Sequence, residues 1–384
     1  MAEASKEELA AYSKNRVLVD PYLDWSEGEG VPIYEDFGID LLDIETAPWD
    51  RFGCKGAMAH LKGRGSYCST FLFEIEPGQK TAPMRHLYED TYYVLEGHGS
   101  TQVETHDGKT HSFEWGPQSM FALPVNAPHQ MFNGSGTERV RIATTSNAPM
   151  VMNLYHSTAF VFDNDHWFKN REGVQGRFNG DGEMTPIRPG RVLWDTNFVP
   201  DLANFELKPW EARGAGSANM QFILADGIMG AHCSGMPVGT YKKGHSHGPG
   251  LHIFTVSGSG YTLLWYKGDT DFVRVNWRHG MLFAPPDKMF HQHFDTSQEP
   301  ARYLAIGVGS KRYPVVYERR AGSENNRSDV SVKKGGRQIE YEDQDERIHP
   351  LYLRELKKTG VESEMGKFFD EEAILKDINS SVAE

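Results

Sequence analysis

From Ala57 onward the chain is written in short runs that alternate apolar and polar positions. YCSTFLFEIEPG (67–78), TYYVLEGHG (91–99), STQVETHDGKTHSFEW (100–115), SMFALP (119–124) and RVRIATTS (139–146) each fit strands of about five to seven residues, divided by Gly, Asp and Asn turns. HDGK at 106–109 predicts a tight hairpin. The texture returns in MQFILADG (220–227), GAHCSGMPVGTYK (230–242), HIFTVSGSGYTLLWYKG (252–268), DFVRVNW (271–277), GMLFAPP (280–286) and RYLAIGVGS (302–310). Evenly spaced short strands without long helices predict an all-β sandwich or barrel. Helical signal is confined to short stretches near 6–12 and 163–168. The tail pieces HPLYLRELKKTG (349–360) and EMGKFFDEEAILKDINSS (364–381) read as helical or extended.

Two of these stretches are one pattern written twice. PGQKTAPMRHLYEDTYYVLEGHG (77–99) matches PVGTYKKGHSHGPGLHIFTVSGSG (237–260), with Gly78, His86 and Gly97 facing Gly239, His247 and Gly258 at one offset of 161. Downstream, FALPVNAPHQMFN (121–133) matches FAPPDKMFHQHFD (283–295) at an offset of 162. A repeat of this length means two structurally equivalent units. The expected layout is an N-terminal arm (1–56), a first unit (57–160), a Gly-, Pro-, Asn- and Trp-rich linker (161–216), a second unit (217–316) and a polar, charged C-terminal extension (317–384).

At 384 residues the chain is long for one core and sufficient for two. A net charge of −13 argues against a nucleic-acid partner, whose phosphates need a basic face. No run of about 18 apolar residues is present, so no membrane-spanning helix is expected. The first residues are polar and lack the apolar stretch of a secretory signal. With only Cys54, Cys68 and Cys233, none at a motif position, the cysteines read as free thiols in a cytoplasmic protein.

The second copy gathers His245, His247, His252, His291 and His293, and imidazole is the commonest side-chain metal ligand near neutral pH. A glycine, a spaced H-x-H, an acidic position and a later glycine resemble the first motif of the cupin superfamily. The two downstream segments resemble the second motif, with one more ligand histidine. Both motifs occur twice in order, over roughly 57–310, so the chain looks like a bicupin. The resemblance implies two antiparallel jelly-roll barrels, with the H-x-H pair on one strand face and the last histidine on a distant strand.

By that resemblance His245, His247 and His291 hold a metal. His252, aligned with the acidic position by a four-residue spacing, is a fourth or switching ligand and a general acid or base. His293, on the same strand face as His291, is a further ligand or a neighbour of the site. In the first copy Met84 replaces the first histidine, leaving His86, Asp90 and His129 as a degenerate set. Lys242, Lys243 and Arg278 could each pair with a substrate carboxylate, although most such residues are solvated; Arg278 is placed with the catalytic residues.

Neutral imidazoles leave a divalent ion its whole charge, which should draw a small anionic, oxygen-rich substrate. Ligand type does not fix the metal. Loss of the motif carboxylate is similar to gentisate-type and diketone-cleaving dioxygenases, so Fe(II) with O2 is the preferred expectation, acting on a small oxygenated acid or hydroxylated aromatic. The alternatives are a non-redox Zn, Mn or Ni isomerase, decarboxylase or lyase, and a non-catalytic binding bicupin. Cupins commonly hide sheet edges by pairing, so a homo-oligomer is expected.

Overall fold

The computed structural model of the chain describes residues 19–315 and 327–381, apart from 175, 189–190 and 249. The helical stretch expected near 6–12 lies outside them. The alternation builds each unit from a large and a small sheet, closed face to face as a barrel. In the first, the large sheet runs in the order Ile33–Tyr34, Cys54–Ala59, Ser69–Ile75, Val140–Ser146, Asp90–Glu96, Met120–Ala122, Phe198–Val199; the small one is His129–Asn133, Gly99–Glu104, Thr110–Trp115. In the second, the large sheet runs Glu183–Arg188, Arg191–Thr196, Ala218–Leu224, Met229–Met236, Ala301–Val308, His252–Ser257, Met281–Phe283, Gly38–Asp40. Its small sheet is Val273–Trp277, Gly260–Trp265, Phe290–Asp295, Gly244–His245, Gln338–Ile339.

Burial follows from which faces are covered. Every residue of Ser69–Ile75 and Val140–Ser146 is buried, because one face looks into the barrel and the other lies against the second barrel. Gly99–Glu104 instead ends in buried-exposed alternation, its outer face meeting water. One apolar cluster joins the large sheets of both units, with Leu72, Tyr93 and Ala143 from the first and Phe222, Cys233 and Leu304 from the second. Cys68 and Cys233 sit in it, and no disulfide joins any of the three cysteines.

The connecting segments cross over. Gly38–Asp40 of the arm adds to Met281–Phe283 of the second barrel, and Phe198–Val199 adds to Met120–Ala122 of the first. The stretch 161–216 therefore does more than link: Glu183–Arg188 and Arg191–Thr196 extend the second large sheet, the latter parallel to Ala218–Leu224. The short helix expected near 163–168 lies earlier, at Thr158–Phe162, where the Ser157 hydroxyl accepts from the Phe160 amide as its N-cap. In the tail, helix Ile348–Thr359 covers the outer face of the second small sheet, packing Tyr352 and Leu356 on Tyr241, Tyr261 and Phe294.

Candidate metal centre

Strand pairing assembles the site. His245 lies directly opposite His291 in the antiparallel pair of Gly244–His245 with Phe290–Asp295. His247 follows His245 by two residues, and ligand atoms of His245, His247 and His291 all lie within 4.8 Å of one another. Their ring centres are 4.2 Å (His245–His291), 4.7 Å (His247–His291) and 5.5 Å (His245–His247) apart. Nδ1 of His245 donates to the Lys243 carbonyl and Nδ1 of His291 to the Met289 carbonyl, each at 3.2 Å. These bonds fix the tautomer and leave each Nε2 lone pair for the cluster. Burial, then the Arg213 guanidinium, holds the His245 imidazole well below its ordinary pKa; burial brings His291 down to about 4. Both are neutral donors near pH 7, and such a set fits a divalent first-row ion.

The other histidines divide by strand face. His252 is not in the trio. Ile253 packs in the interior cluster of the second barrel, so His252 and Phe254 point the other way, toward the first barrel. There Nδ1 of His252 sits 2.7 Å from Thr70 Oγ1. The interior position is Leu251, which packs on the same interior cluster as Ile253. His293 lies inside the barrel, its ring 5.5 Å from His291 and 4.9 Å from Tyr303, its Nδ1 2.8 Å from Thr262 Oγ1. Gln292 faces outward to Gln344.

The basic residues divide as well. Arg278 is half exposed and paired with Asp40 and Asp43, at 2.6 and 2.9 Å, so its charge is engaged at the surface. Lys243 pairs with Glu340. Lys242 is fully buried. Thr262, His232 and Tyr303 also line this interior; composition gave no signal for Thr262 or Tyr303, which are found only by their register opposite His293 and beside His232.

The first barrel closes on itself. Its interior is filled by Phe71, Phe73, Tyr92, Phe113, Trp115 and Phe121, and Met84 packs among them. His86 Nε2 lies 3.4 Å from Asp90 Oδ2, and the Tyr92 hydroxyl donates to that oxygen at 3.1 Å while standing 3.3 Å from His129 Nε2. Burial raises the Asp90 carboxyl to about 7. The free space among these residues is about 10 Å³, room for one water and no substrate.

The Auxin binding protein family model matches residues 42–166, the arm's end and the first barrel. Auxin-binding protein T85 of Nicotiana tabacum is 27% identical over 142 residues, 34% of this chain and 71% of that protein. Auxin-binding protein 1 of Arabidopsis thaliana is 24% identical over 189 residues, 46% of this chain and 89% of that protein. Among solved structures, the formate complex of Lactobacillus farciminis oxalate decarboxylase superposes with a TM-score of 0.47 at 11% identity, covering 72% of this chain and 87% of that one. A variant of the Bacillus subtilis oxalate decarboxylase gives 0.46 at 12%, covering 72% and 78%. The architecture is that of a bicupin, two cupin barrels in tandem. Its histidine cluster lies in the second barrel, outside the segment matched by the family model.

Proposed function

We propose that the second barrel is a mononuclear divalent-metal centre and that the protein is a metal-dependent enzyme for a small, anionic, oxygen-rich acid. The convergence of His245, His247 and His291 is the observation that carries this reading. A bound ion would supply Lewis acidity at a substrate carbonyl or carboxylate oxygen. The chain's part is electrostatic and structural. Three neutral imidazoles, with Leu251 where a carboxylate could stand, cancel none of the ion's charge, so negative oxygen is drawn in. His232, Ser234, Thr262 and Tyr303 face the same interior by strand alternation and can orient a substrate or pass a proton.

That proton-bearing lining favours a non-redox reaction (decarboxylation, isomerisation or lyase chemistry, with Mn, Zn or Ni), and we set it ahead of Fe(II)-dependent dioxygenation. The dioxygenase stays as the second reading because three protein ligands leave an octahedral ion room for a chelating substrate and O2. Elemental analysis of the purified protein tests the centre: about one equivalent of metal is expected, and its absence after reconstitution refutes the reading. Oxygen uptake by anaerobically iron-loaded protein, with a panel of hydroxylated and oxo acids, separates the two chemistries. A binding module without catalysis would turn over none of them.

A further inference from the structure

Tyr241 and Lys242 point to opposite sides of their strand. Tyr241 packs outward against Phe294 and Tyr352, under helix Ile348–Thr359. Lys242 points into the second barrel, where its Nζ lies 4.8 Å from the ring centre of Tyr303. Tyr303 in turn lies 4.9 Å from the ring of His293, and His293 stands beside His291 and His245 at 5.5 and 6.3 Å. Lysine is almost never fully buried without a partner, yet Lys242 has no exposed surface and its Nζ makes no hydrogen bond. Among the described residues no carboxylate is paired with it. Burial, then the positive charge of Arg213, pushes its ammonium down to about 7. A cation kept in this state, inside the barrel that carries the histidine trio, is a group waiting for an anion.

Building on the metal centre proposed above, we infer that Lys242 anchors a second carboxylate of the substrate. The substrate class is then a small acid with two anionic ends, one at the metal and the other at Lys242. Tyr303 and His293 stand between the two binding points and set the spacing of the ends. The pairing also explains the unusual cost of the residue: the substrate supplies the charge that the fold withholds, and one ammonium matches one carboxylate.

Calorimetric titration of metal-loaded protein with the straight-chain dicarboxylates from malonate to adipate, each beside the monocarboxylate of the same length, tests this. Bound metal is measured in the same samples. At least one dicarboxylate is expected to bind the wild type more tightly than its monocarboxylate. Lys242→Met should weaken that dicarboxylate about 10- to 100-fold, the factor for one charge-assisted hydrogen bond, and leave the monocarboxylate and the metal content unchanged. Near pH 8 the wild type should take up a proton on binding, seen as a heat that varies with the buffer, and the variant should not. Should Lys242→Met fail to fold, Lys242→Gln carries the same comparison. If no dicarboxylate outbinds its partner, or the variant keeps the preference, with metal in place, the inference falls and the metal centre stands. If the wild type takes up no metal, the centre falls and this inference with it.

Discussion

The imidazole of His291 is set by one backbone carbonyl and one strand, and its neighbour His245 by the same two devices. Removing either ring takes a ligand from a set of three. His291→Ala should lower metal occupancy at least about tenfold, since even outer partners of metal ligands are worth 10–100-fold in affinity; elemental analysis after dialysis checks it. His252→Ala should leave metal content intact, because its ring bonds Thr70 between the barrels. It should instead cost about 1–3 kcal/mol of stability in chemical denaturation, through a lost buried hydrogen bond. Lys242 gives a pH prediction. Its folded pKa of about 7 lies below the ordinary 10.5, so between these values the unfolded chain holds more protons and stability rises with pH. Below pH 7 the full cost of the buried cation is present. The groups that face it, Arg213, Arg191, Cys233, Tyr303, His232 and His293, include no carboxylate to offset it. Lys242→Met should therefore be more stable than wild type by about 1–3 kcal/mol at pH 6, and the gain should shrink toward pH 10. Equal melting curves at both pH values would refute it.

Elements hold these residues in register, and one of them comes from far along the chain. Helix Ile348–Thr359 lies behind the strand that carries His291 and His293, and the Tyr352 hydroxyl donates to the carbonyls of Thr240 and Asp295 at 3.1 and 2.8 Å. It thus clips the end of the His291 strand to the segment leading to His245. Tyr352→Phe should cost about 1 kcal/mol and Tyr352→Ala about 3–5 kcal/mol, the latter with weaker metal retention, as read by denaturation and elemental analysis. The sequence marked 349–360 only as helical or extended, because its docking face is defined by rings of another element. Position 251 shows what the repeat held. The offset of 161 that takes His86 to His247 takes Asp90 to Leu251, and Leu251 faces inward in the structure. The four-residue spacing that placed His252 there shifted the strand by one residue, and a shift of one exchanges its faces.

At the scale of the molecule the two barrels share one apolar cluster and exchange edge strands through Gly38–Asp40 and Phe198–Val199. They should unfold as one unit. Differential scanning calorimetry is expected to show a single transition, moved up as a whole by added metal. Leu304→Ala, in the shared cluster, should lower that transition by about 2–5 kcal/mol without splitting it; two resolved transitions in the wild type would contradict the shared core.

The strand pattern and the duplication were legible in the order of residues, because period-two alternation and fixed offsets are local properties of the chain; His245, His247 and His291 were singled out by the resemblance to the cupin motifs. Which strand face each side chain took was not. His252 turned to the neighbouring barrel, Arg278 to surface carboxylates, and Lys242 inward, onto the Tyr303 ring and away from every carboxylate among the described residues. Those outcomes depend on register, on how the large sheets pack and on where acidic residues from other segments come to lie, and the folded contacts alone decide them.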